Sequence, residues 1–412
     1  MAVPRFLRRL SLFFGAFIGL IVLVGGGVLG FAWFEHRTDV TLPTPTGAFA
    51  VGRAIQHWTD SATVDTLAPT PGTKRELLVW IWYPSAPGKT ATVDDYVPAQ
   101  FRLKPEAAPK GNIWTLLTRN VSNVRGHSVR DADVSPQQRS YPVVIMRAGA
   151  SAGVGNYSTL AEDLASHGYV VVGFDAPYRT SLVVFPDGRV AQRMPQNNPE
   201  RCVVPNRAEM ETCINRVMTA WSDDIGFVLD RLGQLNASDA SGRFTGHLDL
   251  SRVGVFGHSL GGAVAAQFCH DDPRCKAGLD IDGALHGSVI QEGLSQPFMF
   301  LLSDHSKESD PGSLQIKRDI KSVYDHLPPD RRVYATIIGA FHYTFSDDGA
   351  LLKSSVVRGV MRMTGRLGID SRRQLAVTTH CVHSFFDAYL KESGSRHLDI
   401  ASPLYPEIVV PE

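Results

Sequence analysis

A serine within a glycine-rich turn is the first feature of this sequence that could do chemistry. The segment Gly257-His-Ser-Leu-Gly261-Gly262 fits the pattern Gly-x-Ser-x-Gly. A match this short also occurs in structural glycine-rich turns. Here it follows the apolar segment 252–256 and precedes the alanine-rich segment 263–268, which is the context of a strand-to-helix turn that presents a nucleophile. Side chains at Gly257 or Gly261 would collide with neighbouring backbone in such a turn.

Ser259 would be the nucleophile of this turn, and a serine hydroxyl needs a base to react. In turns of this kind the serine is followed along the chain by an acid and then by a histidine. His342 follows the apolar segment 333–338, so we predict it as the base. His286 and His305 lie earlier, where the acid is expected. His380 and His383 lie in a helical pattern, which predicts packing or surface roles.

The acid has three candidates at or near strand ends. Asp282 lies at the end of one predicted strand and Asp304 at the end of the next, and their positions alone do not separate them. Asp280 shares a face with Asp282 but lies inside the strand, where an unpaired buried carboxylate is costly. The residues alone leave Asp282 and Asp304 as equal alternatives.

An oxyanion hole needs two backbone N–H groups directed at the developing negative charge. One is predicted to be that of Leu260, directly after the nucleophile. The other is expected in the turn 147–153, and we assign it to Ala150. His258 is expected to pack or to form hydrogen bonds, and it receives no chemical step.

The elements around these residues alternate between strands and helices. Predicted strands cover residues 76–83, 141–146, 169–174, 252–256, 277–281, 298–302 and 333–338, and predicted helices cover 157–167 and 217–232. This alternation predicts an α/β fold with a mostly parallel central sheet flanked by helices. On the second helix Asp223, Asp224 and Asp230 are expected to form a solvated face.

The N-terminus carries an apolar run from Leu10 to Phe34, preceded by Arg5, Arg8 and Arg9. The run exceeds the ~20 residues needed to cross a bilayer, whereas a buried core helix is the alternative. We expect residues 1–40 to be a signal anchor with a cytoplasmic N-terminus and a transmembrane helix over about 10–34. Residues 41–412 would then form an extracytoplasmic catalytic domain.

Three segments are expected to lie outside the regular core. Residues 42–47 are rich in proline and threonine and are predicted to be a linker. Residues 98–139 and 181–213 are predicted to be lid-like insertions. Within the first, the apolar residues Ile113, Trp114, Leu116 and Leu117 could equally form a lid or cap the core.

Composition limits the partners and cofactors of the chain. The 412 residues include 41 Lys+Arg and 41 Asp+Glu, so the balance does not favour nucleic acid. The 5 cysteines include two closely spaced pairs, Cys202 with Cys213 and Cys269 with Cys275, which would suit disulfides in an oxidising compartment. Ordinary buried thiols are the alternative, and Cys381 would be free. Because no cysteine or histidine cluster has zinc spacing, we expect no metal.

Several motifs in this order resemble the platelet-activating factor acetylhydrolase family, which are α/β-hydrolase lipases that cleave short or oxidised acyl chains from phospholipids. The motifs are Leu42-Pro-Thr-Pro-Thr-Gly47, Trp80-Ile-Trp-Tyr-Pro84, Asp163-Leu-Ala-Ser-His-Gly168, Gly257-His-Ser-Leu-Gly-Gly262, Gly278-Leu-Asp-Ile-Asp-Gly283 and Gly339-Ala-Phe-His342. The resemblance implies that Asp282 is the acid, that His342 is the base and that no cofactor is needed. The chain departs from the family at Arg147-Ala148-Gly149, where the family usually has His-Gly.

The expected activity is hydrolysis of lipid-like or short-chain acyl esters through an acyl-enzyme. A polyesterase, another non-lipid esterase or an acyltransferase could use the same serine turn. A rival of another class is a catalytically silent, membrane-tethered binding protein.

Overall fold

The computed structural model describes residues 5–86, 88, 91–102, 120–150, 152–202, 207–306, 308–351, 355–364, 367–391, 398 and 400–410. The apolar residues Ile113, Trp114, Leu116 and Leu117, expected to form a lid or a core cap, lie outside these residues.

Strands and helices alternate along most of the described chain. The strands are β1 (Val40–Thr41), β2 (Ala50–Val64), β3 (Lys74–Ser85), β4 (Val93–Asp95), β5 (Val124–Arg130), β6 (Tyr141–Arg147), β7 (Val170–Asp175), β8 (Leu182–Val184), β9 (Val190–Gln192), β10 (Leu248–His258), β11 (Cys275–Ile281), β12 (Phe298–Leu302), β13 (Arg332–Ile337) and β14 (Ile408–Val409). The α-helices are α1 (Arg5–Arg37), α2 (Ser158–Ser166), α3 (Arg207–Ala237), α4 (Leu260–Asp271), α5 (Val289–Glu292), α6 (Pro311–His326), α7 (Asp348–Leu351), α8 (Ser355–Met363) and α9 (Ser371–Leu390).

Twelve of the strands form one mixed, mainly parallel sheet. Its order is β1-β5-β2-β3-β7-β6-β10-β11-β12-β13-β14, with β4 on β5, while β8 and β9 form a separate hairpin. The six strands from β7 to β13 in this order are all parallel to one another. Their carboxyl ends therefore meet at one edge, where ligands bind in open α/β sheets. The predicted fold class is confirmed at this level.

Alternate residues of the central strands pack on opposite faces of the sheet. Val143 and Ile145 of β6 belong to a core that includes Trp221 of α3 and Phe268 of α4. Val144 and Met146 of β6 belong to the other core, which includes residues of α2 and α9 such as Leu160 and Phe385. The period-two alternation buries both faces of the strands, which explains why β6 and β7 are apolar along almost their whole length.

The predicted linker is wrong, because residues 42–47 are docked on the domain. Leu42 is 2 % exposed, and its neighbour β1 pairs with β5. Thr46 donates from both its backbone N–H and its hydroxyl to Asp163 of α2. At Gly47 a Cβ atom would lie 2.2 Å from the Ser166 carbonyl carbon, so glycine is required for this close approach.

Two further expectations need correction. The segment 98–139 contains β5, which is part of the main sheet, and the segment 181–213 ends inside α3, which begins at Arg207.

Asp224 of α3 does not lie on a solvated face: it is wholly buried, with its carboxylate oxygens 3.4 Å from Arg179 Nε and 3.7 Å from Arg75 Nε. Buried arginines from distant segments can pair with an aspartate that the helical spacing alone predicts to be exposed to solvent.

The N-terminal helix α1 is long and apolar enough to cross a membrane over Phe13–Arg37. A signal sequence meets the same criteria. Most side chains of this span are exposed, whereas Ala32, near its end, is buried. The end of α1 is tied to the domain, because Asn123 donates to the carbonyl oxygen of Arg37.

The two predicted cysteine pairs lie at disulfide distance. The sulfur atoms of Cys202 and Cys213 are 2.03 Å apart, and those of Cys269 and Cys275 are 2.00 Å apart. The first pair joins the segment 181–202 to α3, and the second joins α4 to β11. Cys381 is a free thiol, buried in α9.

Candidate active site

Ser259 lies between β10 and α4 with a left-handed backbone, at φ 57° and ψ −127°. A non-glycine residue with positive φ is strained and is held there by its surroundings. Those surroundings leave no space at the flanking glycines: a Cβ atom on Gly257 would lie 2.2 Å from Gly261 carbonyl atoms, and one on Gly261 would lie 2.4 Å from the Arg147 oxygen. The turn therefore requires both glycines and directs the serine toward the carboxyl edge of the sheet.

His342 lies on the loop after β13, and it links the serine to a carboxylate. Its Nε2 atom is 3.2 Å from Ser259 Oγ, and its Nδ1 atom is 2.8 Å from Asp282 Oδ2. Serine, imidazole and carboxylate thus lie in line at hydrogen-bond distances, the arrangement that activates a serine hydroxyl.

Two buried residues hold the loop that carries His342. Gln374 of α9 accepts a hydrogen bond from the N–H of Phe341 and donates to the carbonyl oxygen of the same residue. Asp347 accepts from the backbone N–H groups of Ser158 and Thr159, so it occupies the N-terminus of α2. Burial raises the pKa of Asp347 to about 7. The loop is therefore fixed to helices on one face of the sheet.

Asp282 directly follows β11 and is the carboxylate that meets His342. Its Oδ1 accepts from the backbone N–H of Ser303 and its Oδ2 from the Ser303 hydroxyl, in addition to the imidazole contacts. Burial acts to raise its pKa, but hydrogen bonds from His305 and His342 hold the pKa of Asp282 well below the usual value. The group is therefore an ionised carboxylate at neutral pH.

The competing acids are placed differently. Asp304 is in the loop after β12, where its carboxylate accepts from the backbone N–H of Ser306. Asp280 is wholly buried beneath the serine turn, and a Cβ atom on Gly262 would lie 1.7 Å from its Oδ1. Burial and the nearby Asp282 charge raise the pKa of Asp280 well above normal, which favours the uncharged carboxyl.

His305 is a site residue to which the sequence assigned no role. Its Nε2 atom lies 2.8 Å from Asp282 Oδ1, on the carboxylate oxygen that His342 does not contact. The one available signal was its place two residues after Ser303 in the loop that follows β12. That position gave no reason to expect contact with the end of β11.

The turn after β6 lies against Ser259. A Cβ atom on Gly149 would be 3.4 Å from Ser259 Cβ, and the N–H of Gly149 donates to the Tyr157 hydroxyl. The next residue, Ala150, is partly buried, and its carbonyl oxygen accepts from Arg193. Leu260 supplies the first N–H of α4, where the helix dipole favours negative charge.

His258 is buried beside the catalytic histidine candidate. Its Nδ1 atom is 2.8 Å from the Tyr157 hydroxyl, and its ring centroid is 4.6 Å from that of His342. Burial lowers the pKa of His258 to about 3, so the ring is neutral at ordinary pH. The packing and hydrogen-bonding role expected for this residue agrees with these contacts.

Arg147, where the resembled family usually has histidine, is buried and faces the core. Its guanidinium donates to the carbonyl oxygen of Phe174 and lies 4.1 Å from the centroid of that ring and 4.7 Å from the Trp221 ring. Arg147 therefore supports the base of the turn through stacking.

A cavity of about 450 Å³ opens beside Ser259. Its walls are mostly apolar and include Leu302, Ile316, Ile320, Ile338 and Val409, together with Tyr334. Asp282, His305 and His342 line its polar end. A cleft of this kind suits an acyl or alcohol group of modest size.

One cluster elsewhere among the described residues combines metal-ligand types: Asp163, His167 and His383. Its members bond to one another, since His383 Nδ1 lies 2.9 Å from Asp163 and the Thr46 hydroxyl joins Asp163 to His167. These hydrogen bonds satisfy the cluster and tie the segment after α1 to α2 and α9.

A strained serine with histidine and carboxylate in line, at the carboxyl edge of a mainly parallel sheet, is the site of a hydrolase class. Comparison with known proteins agrees with this class. The sequence model of platelet-activating factor acetylhydrolase, isoform II, matches residues 35–217 and 222–399. The chain belongs to this family, and it is a carboxylic ester hydrolase.

Individual relatives are similar over different lengths. A probable 1-alkyl-2-acetylglycerophosphocholine esterase from Arthroderma benhamiae is 26 % identical over 400 residues, covering 89 % of this chain and 93 % of the relative. Platelet-activating factor acetylhydrolase from Cavia porcellus is 24 % identical over 61 % of this chain and 58 % of its own. A solved ferulic acid esterase from Streptomyces cinnamoneus has a TM-score of 0.72 at 26 % identity, covering 91 % of this chain and 100 % of its own.

Proposed function

We propose that the chain is a serine esterase of the α/β-hydrolase fold that hydrolyses lipid-like or short-chain acyl esters through an acyl-enzyme. One observation carries the proposal: Ser259 Oγ, His342 and Asp282 are joined by contacts of 3.2 Å and 2.8 Å. Asp304, the alternative acid, accepts a hydrogen bond from Ser306 in its own loop.

In the first half of the reaction Ser259 attacks the ester carbonyl while His342 accepts the serine proton at Nε2. Asp282 holds the N–H of Nδ1 and stabilises the imidazolium that forms. The N–H groups of Leu260 and Ala150 donate to the tetrahedral oxyanion, and losing one such donor costs about 3 kcal/mol of transition-state stabilisation. His342 then protonates the leaving alcohol, and the acyl group remains on Ser259.

In the second half a water molecule attacks the acyl-enzyme. His342 removes a proton from this water, and the collapse of the second tetrahedral intermediate returns the proton to Ser259 and releases the carboxylic acid. The steps need only side chains and backbone N–H groups of this chain and water.

The substrate class rests on the cavity and on the relatives. The apolar walls of the 450 Å³ cavity accept a short acyl chain or a compact apolar alcohol. Both named relatives quoted above act, by their names, on acetylated glycerophosphocholines or platelet-activating factor. A non-lipid ester is the second candidate, because the similar solved structure is a ferulic acid esterase.

A panel of esters separates these candidates. The full chain in detergent would be assayed on a phospholipid with a short sn-2 acyl group, a long-chain phospholipid, a feruloyl ester and an aliphatic polyester. Preference for the short-chain phospholipid supports the lipid assignment, whereas preference for the feruloyl or polyester substrate favours the second candidate. Transfer of the acyl group to an added alcohol in place of water would indicate an acyltransferase.

The nucleophile is tested with Ser259→Ala and with Ser251→Ala as the matched control, since Ser251 is exposed in the first half of β10. We expect Ser259→Ala to lose both 4-nitrophenyl acetate hydrolysis and labelling by a fluorophosphonate probe, and Ser251→Ala to retain both. An inert, unlabelled wild-type chain would favour a silent binding protein instead.

The proposed arrangement on the membrane has residues 1–40 as a single-pass signal anchor with a cytoplasmic N-terminus. Residues 41–412 would form one extracytoplasmic catalytic domain. The parts of segments 98–139 and 181–213 that lie outside β5 and α3 would be insertions in it. The apolar helix α1 and the arginines before Leu10 support this arrangement. Protease added outside intact cells should digest the domain, and protection of the domain would contradict the orientation.

A further inference from the structure

The hydrogen-bonded chain at the site does not end at Asp282. The second oxygen of this carboxylate, Oδ1, lies 2.8 Å from His305 Nε2, and His305 Nδ1 lies 3.0 Å from Glu308 Oε1. The full order is therefore Ser259, His342, Asp282, His305 and Glu308.

The two contacts of His305 define its protonation. Ionised carboxylates only accept hydrogen bonds, whereas a neutral imidazole carries one N–H. Carboxylate oxygens within 3.0 Å of both ring nitrogens therefore favour the imidazolium, which carries an N–H group on each nitrogen. The hydrogen bond to Asp282 raises the pKa of His305 to about 9, against the opposing effect of burial.

We propose that His305 is a positioning residue of the esterase: as an imidazolium it fixes the Asp282 carboxylate toward His342 and partly neutralises the charge that His342 meets. This role rests on the proposed function of Ser259, His342 and Asp282. His305 does not contact Ser259 and acts only through Asp282.

Lys317 holds the loop that carries His305 in place. Lys317 of α6 donates from Nζ to the backbone oxygens of His305 and Glu308, at 2.8 Å and 2.9 Å. The other charged or titratable groups that line the same cavity are Asp282 at the end of β11, Asp304 and Glu308 in the loop of His305, Tyr334 of β13 and His342 after β13. The Ser303 hydroxyl, which donates to Asp282, is also 3.0 Å from His305 Nε2.

A cation on the far side of Asp282 makes protonation of His342 less favourable. His342 must be neutral to accept the serine proton, so the cation keeps the base available at lower pH. Removing this charge should move the acid limb of the kcat/KM profile to higher pH by about one unit. This is the size of effect expected between two charged groups that share one carboxylate near the protein surface.

The test compares His305→Gln with His305→Lys in the full chain in detergent, using 4-nitrophenyl acetate. Glutamine keeps a neutral donor toward Asp282, and lysine keeps the positive charge. We expect the acid-limb midpoint to rise by about one pH unit in His305→Gln and to stay near the wild-type value in His305→Lys. A purely structural role would lower activity without moving this midpoint.

Two further variants complete the test. His270→Gln is the matched control, because His270 also contacts a carboxylate, that of Glu292, but lies on α4 away from the cavity. It should leave the profile unchanged. Glu308→Gln removes a negative charge and keeps His305, so it should move the midpoint downward, and it decides the matter if His305→Gln does not fold.

The proposal is overturned if His305→Gln keeps the wild-type midpoint, if His305→Lys shifts as glutamine does, or if Glu308→Gln leaves the midpoint unchanged or raises it. Failure of the proposed function looks different. In that case the wild type is inactive, or Ser259→Ala retains activity, before any comparison at position 305.

Discussion

The Nδ1 atom of His342 lies 2.8 Å from Asp282 Oδ2, although this carboxylate and this imidazole follow strands that are not neighbours. Strand β12 lies between β11 and β13, so the two side chains meet above its end. Ser303, directly after β12, donates to both oxygens of Asp282 and fills this space. Asp282 is thus held by the residue that follows the strand between β11 and β13.

This relationship predicts unequal effects of two similar substitutions. Asp282→Asn should lower kcat by about 10⁴-fold, because the amide cannot hold the required imidazole tautomer. Asp304→Asn should stay within a few-fold of wild type, because Asp304 contacts its own loop. Steady-state kinetics on 4-nitrophenyl acetate would measure both values of kcat. A larger loss in Asp304→Asn than in Asp282→Asn would indicate that Asp304 is the acid.

Close packing beneath the serine turn predicts a loss of stability at Gly262. A Cβ atom there would lie 1.7 Å from Asp280 Oδ1, so Gly262→Ala should lower the free energy of unfolding by about 3 kcal/mol. Gly226→Ala in α3 is the matched control, because a Cβ atom on Gly226 would contact only the flexible end of Arg274, with Nη2 at 3.5 Å. It should be neutral or stabilising by up to about 1 kcal/mol. Urea unfolding of the full chain in detergent would compare them, and equal losses would contradict this packing.

The cysteines predict a simple pattern of chemical modification. Under denaturing conditions without reductant, Cys381 should be alkylated while the other four cysteines are protected as Cys202–Cys213 and Cys269–Cys275. With reductant, all 5 cysteines should react. Mass spectrometry of chain purified from its membrane without reductant would measure the counts, and five modified cysteines in the untreated sample would exclude both disulfides.

The charge of His305 predicts a pH-dependent contribution to stability. Contact with Asp282 raises its pKa to about 9 in the folded chain, above the ~6.5 of an unperturbed histidine. The contribution should therefore be fully present below about pH 6.5 and be lost as the pH rises through 9. Because a third of the side chain is exposed, we expect about 1–2 kcal/mol. The difference in unfolding free energy between wild type and His305→Gln should shrink over this interval, whereas a constant difference would show that the charge adds nothing.

The parts of the site that the sequence predicted are local. The serine turn depends on the five residues from Gly257 to Gly261 and the types of segment beside them, and the order of strands pointed to His342. The sequence left Asp282 and Asp304 equal because both end strands. What separates their positions is the direction of each side chain, which depends on Ser303 and on the positive φ of Asp282, 56°.

Contacts between distant segments account for what the sequence did not predict. Asp224 has the spacing of a solvated helix position, but Arg75 and Arg179 come from other segments to bury it. His305 contacts a residue 23 positions earlier in the chain, across the end of one strand. The proline-rich residues 42–47 have the composition of a linker, yet Asp163 and Ser166 of α2 supply partners for their polar groups.

The docking of residues 42–47 also limits how far the enzyme can reach. Helix α1 ends at Arg37 and β1 begins at Val40, so two residues, spanning at most about 7 Å, separate helix from sheet. In the proposed arrangement this short connection would keep the domain close to the bilayer surface. The site would then receive only esters that diffuse laterally in the bilayer or that desorb to within a few ångströms of the lipid surface.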